Sequence, residues 1–305
     1  DVEPERGQRD WSQLAGVEAE LRDMAQAGII PMVIVRGSPL WAQHTPGVEC
    51  GPIAPDALDA FADFMGDLVE QYSIPPYNVR YWEIWNEPDV DSALIAETMP
   101  FGCWGDEDDP YYGGGTYAEM LKRVAPAIRQ ASPQAQIVLG GLALDCDPTH
   151  PSTGADCIAG RFLEGVLRNG GGAAFDMLAY HSYAYWTPER HDWDRQHPSW
   201  QHRGGAMLGR LDYLRSVLAA HDLDPPIVLN EGGLLCRNSN PDCFRYGFLD
   251  DQANYVLRYY IRAWAHGLHG AAWYTLEDSG WNESGLMGPR RTVRPAYMTL
   301  QFLTQ

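Results

Sequence analysis

The chain has 305 residues, of which 45% are hydrophobic, and a formal net charge of −19. This hydrophobic content is enough for one large core or two small ones and argues against disorder. The negative charge argues against binding to nucleic acid or to anionic membrane surfaces, whereas it suits an uncharged partner such as a polysaccharide.

Helix-like and strand-like patterns alternate along the chain. Helical spacing of apolar residues predicts helices near residues 14–25, 56–71, 117–131, 158–169, 206–221, 250–266 and 295–303. Apolar runs predict six buried strands at 31–36, 79–86, 136–142, 175–181, 226–231 and 270–276. The alternation contains no linker and therefore predicts a parallel sheet in one domain.

The predicted loops differ in length at the two ends of the strands. Loops that follow strands are long, and loops that follow helices are short, as in a barrel that builds a site at one face. A doubly wound open sheet would also alternate in this way. It usually has a glycine-rich phosphate turn after its first strand, and the sequence has none there.

Two predicted strands end in a glutamate. The aromatic run of residues 79–85 stops at Asn86-Glu87-Pro88, since proline cannot donate to a sheet ladder. A second apolar run ends in Asn230-Glu231, and two glycines follow it. Two glutamates at the ends of two strands of one sheet are what cleavage of a glycosidic bond by paired carboxylates requires.

These residues resemble the clan A glycoside hydrolases, the TIM (β/α)8 barrels that include cellulase-, mannanase- and β-xylosidase-like enzymes. Four elements carry the resemblance in the expected order: Trp85-Asn86-Glu87-Pro88, His181-Ser182-Tyr183, Asn230-Glu231-Gly232 and Trp273-Tyr274. They match the family's strands four, six, seven and eight, and the resemblance covers essentially the whole chain.

The start of the chain resembles the connection that follows the family's second strand. The resemblance therefore implies an α/β fold of the TIM barrel type that lacks the first two βα units. Residues 1–305 would form a single catalytic domain, an N-terminally incomplete barrel. The expected consequence is a gap between the strands at 31–36 and 270–276 that exposes inner faces such as Val33, Val35, Trp273 and Thr275.

The resemblance also implies an activity and site residues. It implies a retaining O-glycosidase that hydrolyses β-linked glycans by double displacement, with Glu87 as acid/base and Glu231 as nucleophile. The two carboxyl groups should then lie about 5–5.5 Å apart. The other substrate-binding candidates are Asn86 for a sugar 2-hydroxyl, Tyr183 as a donor to Glu231, Trp273 as the floor under the sugar, and His181 and Trp41.

Several of these and other candidates also have a plain structural interpretation. His181 could orient Glu231 or simply be a core histidine. Five tryptophans fall in predicted loops, where some line sugar subsites and others only pack: Trp41, Trp104, Trp186, Trp193 and Trp281. The acidic run 106–109 could bind calcium but is more typical of a solvated loop. His191, His197 and His202 fit no metal-ligand spacing, so no metal and no cofactor is expected.

Six cysteines allow fifteen disulfide connectivities. Locality favours Cys146–Cys157 and Cys236–Cys243 as short-loop bridges and Cys50–Cys103 as a bridge between neighbouring loops, while reduced, buried thiols are the alternative. Disulfides indicate an oxidising, secreted or periplasmic location. No signal peptide and no apolar run of about 18 residues is visible, so no transmembrane helix is expected.

Two other functions remain open at this point. A catalytically inactive carbohydrate-binding barrel would keep saccharide affinity without turnover. A metal-dependent hydrolase would lose its activity on chelation. The sequence does not predict the sugar, the exo or endo mode, or the oligomeric state.

Overall fold

The computed structural model describes residues 2–90, 102–150, 156–243 and 247–305. The chain divides into two compact units. Unit 1 contains residues 1–143 and 148–178, and unit 2 contains residues 144–147 and 179–305. The single-domain organisation over 1–305 stays a prediction, and each unit is described by itself.

Unit 1 alternates helices with strands. Its helices are α1 (Ala15–Gln26), α2 (Leu58–Tyr72), α3 (Gly114–Ala131) and α4 (Phe162–Arg168), and its strands are β1 (Met32–Val35), β2 (Tyr81–Asn86) and β3 (Gln136–Leu142). β2 pairs in parallel with β1 and with β3. The apolar face of α2 is buried, as its helical spacing predicts.

Unit 2 continues the alternation. Strand β4 (Met177–Tyr185) begins at the end of unit 1, and α5 (Ala206–Ala219), β5 (Ile227–Leu235), α6 (Phe248–Ala265), β6 (Gly270–Ala271) and α7 (Pro295–Leu303) follow. β5 and β6 pair in parallel. A small antiparallel pair, β7 (Met287–Gly288) and β8 (Thr292–Val293), precedes α7.

The predicted fold class is confirmed. The six strands of the main sheet occur in chain order, β1-β2-β3-β4-β5-β6, and they alternate with helices. The first strand of the described chain begins at Met32, in agreement with a TIM-type barrel that has six strands instead of eight. Among the described helices, none combines the length and the apolar character needed to cross a bilayer.

Three strands end more than one residue away from the prediction. β4 continues to Tyr185 instead of ending at residue 181. β5 continues through Gly232 to Leu235, because Gly232 does not break the strand but permits close packing: a Cβ there would lie 2.4 Å from the Ser182 carbonyl oxygen. β6 ends at Ala271, because residues 275 and 276 instead accept hydrogen bonds from the backbone N–H groups of residues 286 and 287.

The expected exposure around the strand edges is partly wrong. Val33, Val35 and Thr275 are half-buried, whereas Trp273 is buried. The Trp273 ring packs edge-on against Tyr255 and Tyr259 of α6, which cover it within unit 2.

All six cysteines are in disulfides. The predicted pairs Cys50–Cys103 and Cys236–Cys243 have Cα–Cα distances of 5.3 Å and 5.9 Å. Cys146 and Cys157 are also disulfide-bonded. We therefore expect denaturing, non-reducing alkylation to label no thiol, and the same treatment after reduction to label all six. Label on the unreduced protein would contradict these disulfides and, with them, the argument for an oxidising compartment.

Candidate active site

Glu87 lies directly after β2, in an unusual stretch of backbone. Trp85 and Glu87 have φ angles of 73° and 47°, a left-handed region that non-glycine residues rarely occupy. Strained backbone of this kind persists only where the surroundings impose it, and it is common at functional sites. Here the buried Trp85 indole donates to the Cys50 carbonyl (2.9 Å), and the Glu87 N–H donates to the Gly141 carbonyl (2.9 Å).

The neighbouring strand is shaped to accept this backbone. A Cβ on Gly140 would lie 2.6 Å from the carbonyl oxygens of both Ile84 and Trp85, so only glycine fits opposite the turn. Trp85 packs edge-on against Phe61 and Trp104. Asn86 and Glu87 are half-buried, whereas Trp85 and Pro88 on either side of them are buried. Both side chains therefore lie at the edge of a cluster of apolar and aromatic residues.

Two buried carboxylates near Glu87 were missed by the sequence analysis. Glu83 is fully buried, and its Oε1 accepts a hydrogen bond from the Gly141 N–H (2.7 Å). Asp89 is buried too, and its Oδ1 accepts from the Ala143 N–H (2.8 Å). Together they tie the end of β2 to the end of β3. The only signal in the sequence was the position of Glu83 inside a run of aromatic and apolar residues.

Glu231 lies in β5 of unit 2, and residues of β4 contact it. The Tyr183 hydroxyl donates a hydrogen bond to Oε1 of Glu231, the contact for which the sequence made Tyr183 a candidate. The buried His181 places Nε2 3.8 Å from Oε2, which is longer than a hydrogen bond. The structure therefore brings Tyr183, His181 and Glu231 together.

Two further aromatic rings surround Tyr183. Its ring packs edge-on against Trp281 (5.3 Å between centroids) and Tyr274 (6.3 Å), and those two rings contact each other at 5.6 Å. Trp273, the expected floor of the sugar site, is 9% exposed, and its Nε1 donates to the Ser284 carbonyl (2.8 Å). Tyr274 and Trp281, in contrast, are each 39% exposed.

The structure separates the loop tryptophans into two groups. Trp104, Trp186 and Trp193 are buried and serve as packing residues, whereas Trp281 is 39% exposed. Trp41 is half-buried in unit 1, where its Nε1 donates to the Glu3 carbonyl (2.9 Å) and it lines a cavity of about 640 Å³ beside β1.

Carboxylates of the acidic run 106–109 accept hydrogen bonds from backbone N–H groups a few residues further along the chain. Asp106 accepts from the Asp108 N–H (3.0 Å), and Asp109 accepts from the N–H groups of Tyr111 (2.9 Å) and Gly113 (3.0 Å) just before α3. These bonds support the expected solvated loop rather than a calcium site.

The three histidines between residues 191 and 202 have separate contacts. His202 Nε2 lies 2.8 Å from Asp147, His191 is exposed, and His197 Nδ1 accepts from the Ser199 N–H (3.3 Å). Burial, reinforced by the charges of Arg210 and Arg190, lowers the pKa of His197 from 6.5 to about 4.

His197 should make the protein sensitive to acid. Between about pH 6.5 and pH 4 the unfolded chain carries a proton on this imidazole that the folded chain does not, so stability falls as the pH drops through this window. We expect the slope of Tm against pH in this range to become shallower in His197→Gln. His191→Gln, an exposed control, should keep the wild-type slope. Equal slopes in all three proteins would contradict the role of His197.

Comparisons with known proteins support the fold. No protein-family model matches the sequence, and no curated protein matches it. Solved structures do match. A family 39 glycoside hydrolase from Bacteroides cellulosilyticus WH2 is 20% identical with a TM-score of 0.67, and the match covers 97% of this chain and 54% of that one. A β-xylosidase from Caulobacter crescentus CB15 is 17% identical with a TM-score of 0.63, covering 97% and 56%.

A third match, xylanase 10B from Thermotoga petrophila RKU-1, is 13% identical with a TM-score of 0.58 and covers 99% of this chain and 81% of that one. Structural matches at such low sequence identity establish the fold alone. The chain spans about half the length of the first two matched proteins. The resemblance to clan A glycoside hydrolases is thus confirmed for the fold, and the activity has to be argued from the residues.

Proposed function

We propose that the chain is a retaining O-glycosidase that hydrolyses β-linked glycans, with Glu87 as acid/base and Glu231 as nucleophile. The hydrogen bond from the Tyr183 hydroxyl to Glu231 is the observation that carries the proposal, because this donor fixes the position of the carboxylate that would attack an anomeric carbon. The glycosidase matches over nearly the whole chain support the assignment.

In the proposed reaction, Glu87 donates a proton to the leaving oxygen while the Glu231 carboxylate forms a bond to the anomeric carbon. Water, deprotonated by Glu87, then releases the sugar with retained configuration. Glu87 directly follows β2, two residues after the buried Trp85, and its own side chain is half-buried. Asn86 is proposed to bind the sugar 2-hydroxyl, and His181, Trp273 and Trp41 are proposed to contact the substrate.

The partner is proposed to be a neutral oligo- or polysaccharide, in keeping with the net charge of −19. The disulfides fit an oxidising compartment, so we propose a secreted or periplasmic location. The predicted separation of about 5–5.5 Å between the Glu87 and Glu231 carboxyl groups implies retention, whereas about 6.5–9.5 Å would imply inversion.

Product stereochemistry tests the proposal directly. The protein is incubated with a panel of 4-nitrophenyl β-glycosides (xyloside, mannoside, glucoside), and the anomer released first is observed by proton NMR before mutarotation. Release of the β-anomer supports a retaining enzyme, and release of the α-anomer would contradict it. Saccharide binding without turnover would instead support the inactive carbohydrate-binding barrel, and activity lost on chelation would support a metal-dependent hydrolase.

Removing the Tyr183 hydroxyl should impair turnover. Tyr183→Phe keeps the ring but deletes the donor to Glu231, and a hydrogen bond to a charged group contributes about 1.5–3 kcal/mol, so we expect kcat to fall about 10- to 100-fold. Tyr185→Phe is the matched control, since Tyr185 lies on the same strand and contacts Arg237 through its ring face. Equal activity of the two variants would show that the donor is dispensable.

A further inference from the structure

The parallel pairing of β2 with β3 skips one step just before Glu87. The first four residues of β2 pair in register with the first four of β3, and Asn86 pairs with Gly141, but the step between them, Trp85 opposite Gly140, is left out of the pairing. The skipped step coincides with the left-handed backbone of Trp85 and Glu87. The groups that fill this gap in the ladder therefore decide where Glu87 lies.

The hydroxyl of Tyr117, a residue of α3, fills the gap. It accepts a hydrogen bond from the Gly140 N–H (3.2 Å) and donates one to the Ile84 carbonyl. A regular parallel ladder joins two such backbone groups directly, and at the same offset between the strands the Gln136 N–H does donate directly to the Arg80 carbonyl (2.7 Å). A tyrosine hydroxyl thus takes the place of one ladder bond and spaces the two strands at the skipped step.

The surroundings of Tyr117 fix both its ring and its proton. The side chain is fully buried, and its ring packs edge-on against Trp104 (5.3 Å between centroids) and lies 5.4 Å from the ring of Phe162. Burial raises the pKa of Tyr117 well above its usual value, and the negative charges of Glu83 and Asp89 act in the same direction. The hydroxyl therefore keeps the proton that it donates and acts as a fixed bridge.

We propose that Tyr117 is a positioning residue for Glu87: its hydroxyl holds the β2–β3 ladder open at the skipped step, and the open ladder sets the backbone that carries the Glu87 carboxyl. The proposal rests on the proposed role of Glu87 as acid/base. Two bonds transmit the position, because the Glu87 N–H donates to the Gly141 carbonyl (2.9 Å) and the Gly141 N–H donates to the buried Glu83 (2.7 Å). Gly141 directly follows Gly140, so a shift at the bridge moves the anchor of Glu87.

The consequence of losing the bridge is specific to proton transfer. Without the hydroxyl, the Gly140 N–H and the Ile84 carbonyl bond directly, which closes the ladder and displaces Glu87. A general acid must lie within hydrogen-bond reach of the leaving oxygen, and a displacement of about 1 Å can cost about 10²-fold in rate. The reaction should therefore slow most for leaving groups that need protonation. A tyrosine that only packs in the core would lower stability without any dependence on the leaving group.

Leaving-group dependence tests the inference in the full chain. For the sugar that the wild-type protein hydrolyses best, kcat/KM is measured on the phenyl and the dinitrophenyl β-glycoside, of which only the second departs readily without a proton. Tyr117→Phe keeps the ring but deletes the bridge. It should lower kcat/KM about 10-fold or more on the phenyl glycoside and less than about 2-fold on the dinitrophenyl glycoside. Thermal melting verifies that each variant is folded.

Tyr180→Phe is the matched control. Tyr180 is also fully buried and donates to a backbone carbonyl, that of Met207 (3.1 Å), so its loss should leave the ratio of the two kcat/KM values unchanged. A second measurement needs no substrate. In crystal structures of the variants, the Glu87 carboxyl should move by about 0.5 Å or more in Tyr117→Phe, which exceeds the tolerance of a catalytic group, and should stay in place in Tyr180→Phe.

The possible outcomes separate the positioning role from the catalytic proposal. Equal losses of Tyr117→Phe on the two glycosides overturn the positioning role and leave the glycosidase proposal standing. No turnover by the wild-type protein overturns the glycosidase proposal, and the crystal structures then decide the positioning role by themselves. A Glu87 carboxyl that moves in Tyr117→Phe but not in Tyr180→Phe supports that role, and one that stays in place in both variants overturns it.

Discussion

Glu231→Gln will lower kcat on an aryl β-glycoside on the order of 10⁴-fold or more, because the amide cannot attack the anomeric carbon. The substitution nearly preserves size and keeps an oxygen that can accept from Tyr183. We therefore expect unchanged thermal stability beside the lost turnover, measured as kcat on the best 4-nitrophenyl glycoside. Glu277→Gln, an exposed glutamate of the same unit, is the control and should retain full activity.

Glu87→Gln should behave differently, because a general acid matters most when the leaving group is poor. With natural glycosides the loss should be about 10²–10⁴-fold. With 4-nitrophenyl glycosides the first step needs little protonation, so the glycosyl intermediate should accumulate and give a burst of nitrophenolate. A Glu87 variant without a burst and with equal losses on both substrates would contradict its assignment as acid/base.

Azide distinguishes the two carboxylates by product stereochemistry. In Glu231→Ala, azide can enter the space left by the nucleophile and displace the leaving group once, which gives the inverted α-glycosyl azide. In Glu87→Ala, azide attacks the intermediate on Glu231 and gives the β-glycosyl azide. The opposite pattern would exchange the two roles, and rescue of neither variant would contradict the double-displacement mechanism.

Much of the fold was predictable because local sequence signals and tertiary packing agree. Pro88 cannot extend a ladder, and β2 ends at Asn86 as expected. The apolar run at 136–142 forms β3 with the predicted bounds. The end of β5 was not predictable. Gly232 permits close packing against Ser182 of β4, and the local sequence does not reveal a contact with another strand.

The same distinction applies to the site. The position of Glu87 directly after β2 and the Tyr183 donor followed from motifs that lie within single segments, whereas Glu231 lies inside β5 and not at its predicted end. The contact between Tyr117 and Ile84 joins residues 33 positions apart, and Tyr117 does not differ by sequence from any other helix tyrosine. Buried carboxylates such as Glu83 were missed for a similar reason, since their partners are backbone groups of another strand.

Arg210 of α5 should be the most costly arginine of unit 2 to remove. It is 6% exposed, and its guanidinium donates to the carbonyls of Leu144 (3.1 Å) and His181 (3.2 Å) while lying over the Trp200 ring. Leu144 has a φ of 50°, a strained conformation that these bonds help to impose. We expect Arg210→Ala to lower the free energy of unfolding by about 3 kcal/mol and the Tm by roughly 6–10 °C.

The control is Arg215→Ala, since Arg215 lies on the same helix but is exposed and donates to the His266 carbonyl (2.7 Å), so its loss should cost less than about 1 kcal/mol. Arg210→Met tests whether the hydrogen bonds or the packing of Arg210 stabilise the fold, because methionine retains an apolar stem over Trp200 but supplies no donors. A wild-type Tm for Arg210→Met would assign the stabilisation to packing alone. A lowered Tm of Arg210→Met together with a reduced kcat would show that the hydrogen bond from Arg210 to the His181 carbonyl also fixes β4, the strand that contacts Glu231.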